Sequence, residues 1–182
     1  MSTCENTKRD LRQEWQTPDD FYSVLCAEFG FQVDAAASPE NARCHYILTP
    51  EDDALSDDIA WITEGRHMLD SGDIYRIYCN PPYTNVLPWV EKAHAEAQKS
   101  PSAVVCLVAH AGLATEWFAR AVELATEIRL CRPRIQFVAP PGVQQSSNAR
   151  DSVVMVFRRK VVPGPARIWL WDWKDDRKEM RV

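Results

Sequence analysis

Ile74-Tyr75-Arg76-Ile77-Tyr78-Cys79-Asn80-Pro81-Pro82-Tyr83 joins an apolar run to a double proline. The first six residues, rich in isoleucine and tyrosine, read as a buried strand. Two consecutive prolines then fix φ near about −65° twice and remove two backbone donors, so neither a ladder nor a helix continues. The strand therefore ends in a stiff loop that presents a side-chain amide, two free carbonyls and an aromatic face. An amide oxygen and a carbonyl both accept from an exocyclic amine, and a ring can stack on the heterocycle that bears it. That set of groups suits an amino nitrogen as nucleophile.

Outward from this loop, Leu87 to Gln98 reads as an alanine-rich amphipathic helix, and Ser102 or Ala103 to Ala109 as a near-continuous apolar strand. Leu113 to Leu124, with Trp117, Phe118 and Val122, repeats the helical pattern. Ile128–Leu130, Ile135–Val138, Ser152–Phe157 and Ile168–Trp171 supply later strands. On the N-terminal side, Thr17 is the expected N-cap of a helix with Pro18 at its first position and Phe21, Val24, Leu25 and Phe29 on one face. Gly30 closes that helix, and Phe31 to Asp34 reads as a short strand before the turn Ala35-Ala36-Ala37-Ser38-Pro39. Residues 40–73 are mostly polar and irregular, with a helical turn expected near Ala54–Trp61. Alternating strands and helices indicate an α/β protein with a mainly parallel sheet, and the later strand–turn–strand run adds an antiparallel C-terminal edge. The expected organisation is a flexible N-terminus over 1–13, one domain over 14–173 and a charged tail over 174–182.

Composition narrows the class. The chain has 182 residues, 46% hydrophobic and 10% aromatic, which fits one ordinary globular domain. It carries no basic leader with an apolar core and no run of 18 apolar residues, so no membrane contact is expected. Six cysteines without a CxxC pair read as reduced thiols in a cytoplasm. The four histidines lie on different segments, Cys44-His45 lacks a partner pair, and no metal is expected. The net charge of −5 hides an asymmetry. Asp19 to Glu64 holds eleven acids and one base, Arg43, whereas Arg129 to Lys160 holds seven bases and one acid, Asp151. The second stretch could attract phosphate.

Ligands of an open parallel sheet gather outside the carboxyl ends of its strands, and two such ends here carry distinctive residues. Asp34, followed by small side chains, lets a cofactor approach closely; Asn80–Tyr83 follows about one α/β unit later. Nucleic-acid contacts are expected from Arg129, Arg132, Arg134 and Arg150 with the loop that holds Gln144 and Asn148. Trp169, Trp171 and Trp173 alternate, which suits a core-facing or dimer-facing strand. His110 reads as a structural histidine at a strand terminus.

Trp15-Gln16-Thr17-Pro18, Val33-Asp34-Ala35-Ala36-Ala37-Ser38, Glu51-Asp52-Asp53-Ala54-Leu55, Tyr78 to Tyr83 and Trp117-Phe118 together carry a family resemblance. From roughly Trp15 to Arg158 the chain resembles the S-adenosylmethionine-dependent DNA adenine N6-methyltransferases, most closely the compact Dam-type enzymes of phages and prophages. The resemblance implies a single-domain, Rossmann-like class I methyltransferase fold acting on double-stranded DNA as a monomer or homodimer. It implies a phage- or prophage-encoded protein in the cytoplasm of a bacterial host. Asn80, Pro81, Pro82 and Tyr83 would be catalytic, holding and stacking a flipped adenine. Trp15, Gln16, Thr17, Pro18, Asp34, Ala35, Ala36, Ala37, Ser38, Asp53 and Asn80 would hold S-adenosylmethionine, with Asp34 to Ser38 around its methionine moiety. Asp53 resembles the acid that accepts from the cofactor's adenine amine, and GATC is the target the resemblance suggests. The same four-residue motif also serves methylation of RNA adenine and of glutamine amides in protein. An inactive DNA-binding or antirestriction protein of the same fold is the non-enzymatic alternative.

Overall fold

A computed structural model of the chain describes residues 15–63, 73, 75–139, 142, 144, 150–175 and 179–180. Among these, eight strands form one sheet: β1 (Val33–Asp34), β2 (Tyr46–Ile47), β3 (Arg76–Cys79), β4 (Val104–His110), β5 (Glu127–Arg132), β6 (Ser152–Phe157), β7 (Arg167–Asp172) and β8 (Glu179–Met180). Their order is β2-β1-β3-β4-β6-β5-β7-β8. β1, β2, β3 and β4 run parallel, β6 lies antiparallel between β4 and β5, and β7 follows β5 in parallel. β8 closes the edge antiparallel to β7. The antiparallel edge expected from sequence is therefore this last pair, with a second antiparallel strand inside the sheet.

Among the described residues three α-helices cover the two faces. α1 (Asp19–Phe29) buries Phe21, Leu25 and Phe29, a four-residue spacing that sets one stripe against the sheet. Gly30 ends it at φ 64°, a left-handed conformation glycine adopts without Cβ strain, and its N–H bonds the Cys26 carbonyl. α2 (Leu87–Gln98) and α3 (Glu116–Leu124) pack on the opposite face. Strand residues divide accordingly. Ile77, Cys79, Val105, Leu107 and Ala109 face α2 and α3, while Tyr78, Val104, Cys106 and Val108 face α1. A strand buried on both faces has no polar alternation, as the apolar run in β4 foretold.

Several boundaries differ from the sequence reading. Pro18, not Thr17, caps α1, and the Thr17 hydroxyl pairs with the Tyr78 hydroxyl at 2.5 Å instead of capping. The span Ile135–Val138 is not a strand of the sheet. Ile135 and Phe137 are buried, but the ladder amounts to a single bridge between Gln16 and Val138. α3 starts at Glu116 because the Thr115 hydroxyl accepts from the Phe118 N–H there. Near Ala54–Trp61 the regular element is a 3-10 turn, Pro50–Asp52, four residues earlier than the helical turn expected. β2 lies in a span read as irregular, and β8 lies in the span read as a solvated tail. Trp171 and Trp173 face the core against Phe21, at ring separations of 5.9 and 5.2 Å.

Candidate active site

β1 leads to β2 on one side while β3 follows on the other, so the order of strands reverses between β1 and β3. This is the switch point at which an open sheet leaves a crevice above its strand ends. Asp34 ends β1 and Asn80 follows β3 directly, with Asp34 registered against Tyr78. The crevice is a pocket of about 620 Å³ lined by Trp15, Gln16 and Thr17 on one side and Asp34 to Ser38 on another. Asp53 and Asn80 complete the set of expected cofactor residues in its wall. Pro18 lies outside that lining, occupied in starting α1.

Asp34 is 3% exposed, and its carboxylate accepts from the backbone N–H groups of Ala36 (3.3 Å) and Arg43 (3.2 Å). Burial pushes its carboxyl up to about 6, against the opposing pull of those two N–H groups. Arg43, which sequence reasoning left aside, also lines the pocket, and its guanidinium bonds the Asp19 carboxylate and the Thr17 carbonyl. It thereby ties the N-terminal segment over the crevice. Trp89 of α2 is a second wall residue the sequence did not single out, and nothing in the helical pattern distinguished it from core. Asp53 sits at φ 49°, left-handed for a non-glycine residue, at the end of the 3-10 turn. The next residue is pinned from below: the Trp61 indole donates to the Ala54 carbonyl at 2.8 Å, and Trp61 packs on Trp89.

Asn80 stands at the pocket's rim with both ends of its amide engaged. Its NH₂ donates to the Trp15 carbonyl at 3.3 Å, and its oxygen accepts from the Tyr83 hydroxyl at 2.6 Å. An amide oxygen has two lone pairs, so one acceptor position remains for an incoming amine. Tyr83 stands away from the pocket wall, its ring against His110 at 4.2 Å and Phe137 at 6.1 Å. His110 and Phe137 are themselves 5.5 Å apart at 79°, so three rings form a corner beside Asn80. Burial lowers the His110 imidazole to about 4, which keeps it neutral, and its Nδ1 is enclosed without a partner among the described residues.

The expected DNA contacts do not stay together. Arg129 is 5% exposed and forms a two-pronged pair with Glu28 at 2.5 and 2.6 Å, a further pair with Glu127, and contacts with the rings of Trp171, Phe29 and Trp169. Each of its three guanidinium nitrogens donates to a carboxylate of the protein and the side chain is buried, so Arg129 is an internal ion-pair residue and not an exposed phosphate contact. Arg132, Arg134 and Arg150 are exposed at the edge where Asn80 lies, Arg134 paired with Asp151 at 2.7 Å. Gln144 is exposed, and Asn148 lies outside the described residues. Among the described residues no group of three or more His, Cys, Asp or Glu could hold a metal, and no helix is long and apolar enough to cross a membrane.

A doubly wound sheet with a pocket at its switch point, an acid ending the first strand and Asn-Pro-Pro-Tyr at the rim, has the architecture of a class I methyltransferase. The profile of the family described as DNA N-6-adenine-methyltransferase (Dam) matches residues 4–180. Over 168 residues the chain is 29% identical to the DNA N-6-adenine-methyltransferase of Haemophilus phage HP1, covering 90% of this chain and 89% of that protein. Over 124 residues it is 28% identical to the DNA N-6-adenine-methyltransferase of Escherichia phage T1, covering 68% of this chain and 46% of that protein. The chain belongs to the Dam family of DNA N-6-adenine-methyltransferases, and it is an enzyme.

Proposed function

We propose that the protein transfers the methyl group of S-adenosylmethionine to the N6 amine of an adenine flipped out of double-stranded DNA. The observation that carries this reading is the position of Asn80. Its amide stands on the rim of the pocket at the switch point and beside the corner formed by Tyr83, His110 and Phe137. A nucleobase amine held by that amide would lie between a nucleotide-sized pocket and an aromatic surface.

The residues of the pocket fit the cofactor. Asp34 offers a carboxylate for an ammonium group, Asp53 an acceptor for an adenine amine, and Ala35 to Ala37 a wall without bulk. When bound, S-adenosylmethionine supplies an already activated sulfonium methyl, so a direct in-line displacement needs no covalent enzyme intermediate. The protein's own part is positioning and charge stabilisation. The Asn80 oxygen and the Pro81 carbonyl accept from the amine and hold its lone pair out of conjugation with the ring. Those hydrogen bonds strengthen as positive charge develops on nitrogen. Tyr83 supplies stacking, worth about 1–3 kcal/mol per base, which offsets part of the cost of flipping.

Incorporation of labelled methyl from S-adenosylmethionine into DNA, RNA and protein, measured separately, tests the reading. Label in DNA as N6-methyladenine is the expected result, and Asn80→Ala should remove it while cofactor binding measured by calorimetry persists. Label in RNA or in protein glutamine alone, or full activity in Asn80→Ala, would overturn it.

A further inference from the structure

We propose that Leu113 is an apolar wedge that enters the DNA base stack as the target adenine leaves it. The inference rests on the base-flipping reading above. Five large apolar side chains stand out as exposed among the described residues: Leu113, Val138, Val161, Val162 and Ile168. Val161 and Val162 follow β6, and Ile168 is the second residue of β7, which puts all three at the sheet edge opposite Asn80. Leu113, 63% exposed, stands on the Asn80 edge, three residues beyond the end of β4.

That position is fixed by its neighbours. His110, the last residue of β4, packs on Tyr83, which couples the turn to the Asn80 loop. The Ala111 N–H donates to the Asp151 carbonyl at 2.7 Å. The Thr115 N–H and hydroxyl both donate to the Gly112 carbonyl, at 2.9 and 2.6 Å. A Cβ on Gly112 would meet Trp117 Cζ2 at 3.0 Å and the Thr115 side chain at 3.1 Å, so the turn is closed from within. Thr115 then caps α3 through the Phe118 N–H. A turn held at its entry, middle and exit cannot fold its leucine inward, and Leu113 is kept in solvent by construction.

The surroundings match a nucleic-acid partner. Asp151, which anchors Ala111 through its carbonyl, carries Arg134 on its carboxylate, and the exposed Arg150 precedes it in the chain. Cations beside a rigid apolar finger provide phosphate positioning next to an insertion element. Removing a base from the stack leaves a gap with two apolar base faces, and apolar side chains at such steps hold the duplex in its distorted form.

The test uses the full chain and a short duplex carrying one adenine mapped as methylated in DNA from cells that express the protein. Two versions place that adenine opposite thymine or opposite an abasic site, and a third carries fluorescent 2-aminopurine at the target. With thymine opposite, Leu113→Ala should lower kcat/KM by about tenfold or more, and Leu113→Met should restore it. With the abasic site opposite, where little unpairing cost remains, Leu113→Ala should fall within about twofold of the unsubstituted protein. The rise in 2-aminopurine fluorescence on binding should be lost in Leu113→Ala and return in Leu113→Met. Equal losses on both duplexes would make Leu113 structural, and an unchanged rate on the paired duplex would remove the wedge; either result overturns the inference. Absence of adenine methylation by the unsubstituted protein would instead overturn the function on which it rests.

Discussion

Asp34 shows how one residue couples stability to ligand binding. Its carboxyl titrates at about 6 in the folded chain because it is buried, against about 3.9 when unfolded. Between those values the folded state holds more protons than the unfolded state, so stability falls as pH rises through about 4 to 6 and is level above. Binding of a cationic ammonium at Asp34 runs the other way, since it needs the ionised carboxylate. Acidification from about pH 7.5 to about pH 5 should therefore raise the melting temperature contributed by this group and weaken S-adenosylmethionine binding. Asp34→Asn should flatten both profiles. Thermal melts and calorimetry across that range check the pair; cofactor affinity that does not change with pH would remove Asp34 from the ammonium site.

At the scale of elements, α2 holds up one wall of the pocket through Glu96. This fully buried carboxylate accepts from the Trp61 and Ile62 N–H groups, both at 3.1 Å, and pairs with Lys99 at 2.7 Å and Lys92 at 3.4 Å. Lys92 in turn donates to the Ser56 and Ile59 carbonyls. The segment from Asp53 to Ile62 thus rests on one helix through a polar network that adds to the buried contacts of Ala54, Trp61 and Ile62. Glu96→Ala strands two buried N–H groups and takes the counter-ion from the buried Lys92, while the half-exposed Lys99 turns to water, and should cost about 3–5 kcal/mol in urea denaturation. Glu96→Gln retains the N–H acceptor and should cost less. A cofactor affinity lowered along with stability in both variants is expected, because Asp53 and Trp89 lean on the same network.

Elements also separate what periodicity predicts from what pairing creates. The helical spacing of Leu87–Gln98 and the apolar run Ser152–Phe157 coincide with α2 and β6 to the residue. Both are long enough for a repeating pattern to outweigh its neighbours. β2 and β8 are two residues each, and exist only because a neighbouring strand supplies a ladder. Ile135–Val138 fails in the opposite way: its alternation is real, and Ile135 and Phe137 are buried, but no full strand is there to pair with it.

For the whole molecule, topology splits the basic stretch that looked continuous. Arg132, Arg134 and Arg150 stand at the strand ends near Asn80, whereas Arg158, Arg159 and Lys160 follow the antiparallel β6 to the opposite edge. Arg129 is spent inside, between α1 and the sheet. Replacing Arg132 and Arg134 by alanine should weaken DNA binding and reduce its salt slope by about 1–2, while the same change at Arg158 and Arg159 should leave the slope alone. Arg129→Ala should lower stability by about 1–3 kcal/mol without altering the slope, since it removes a buried guanidinium with its ring contacts while Glu28 and Glu127, both reached by water, are resolvated. Binding isotherms at several salt concentrations decide among these; an equal change of slope at both edges would refute the division.

The sequence by itself determined the alternating α/β order, the break after Cys79 and the residues of both strand ends, because proline geometry and apolar periodicity act over a few neighbouring residues. It also marked about half of the pocket wall, Trp15 to Thr17, Asp34 to Ser38, Asp53 and Asn80. Only the tertiary structure decided that these meet at one switch point, that Arg43 and Trp89 join them, and that Arg129 leaves the surface. The reason is that strand order, register and burial are set by partners far away in the chain. A charge carries no local sign of whether its counter-ion lies in water or, as for Arg129 and Glu28, a hundred residues away.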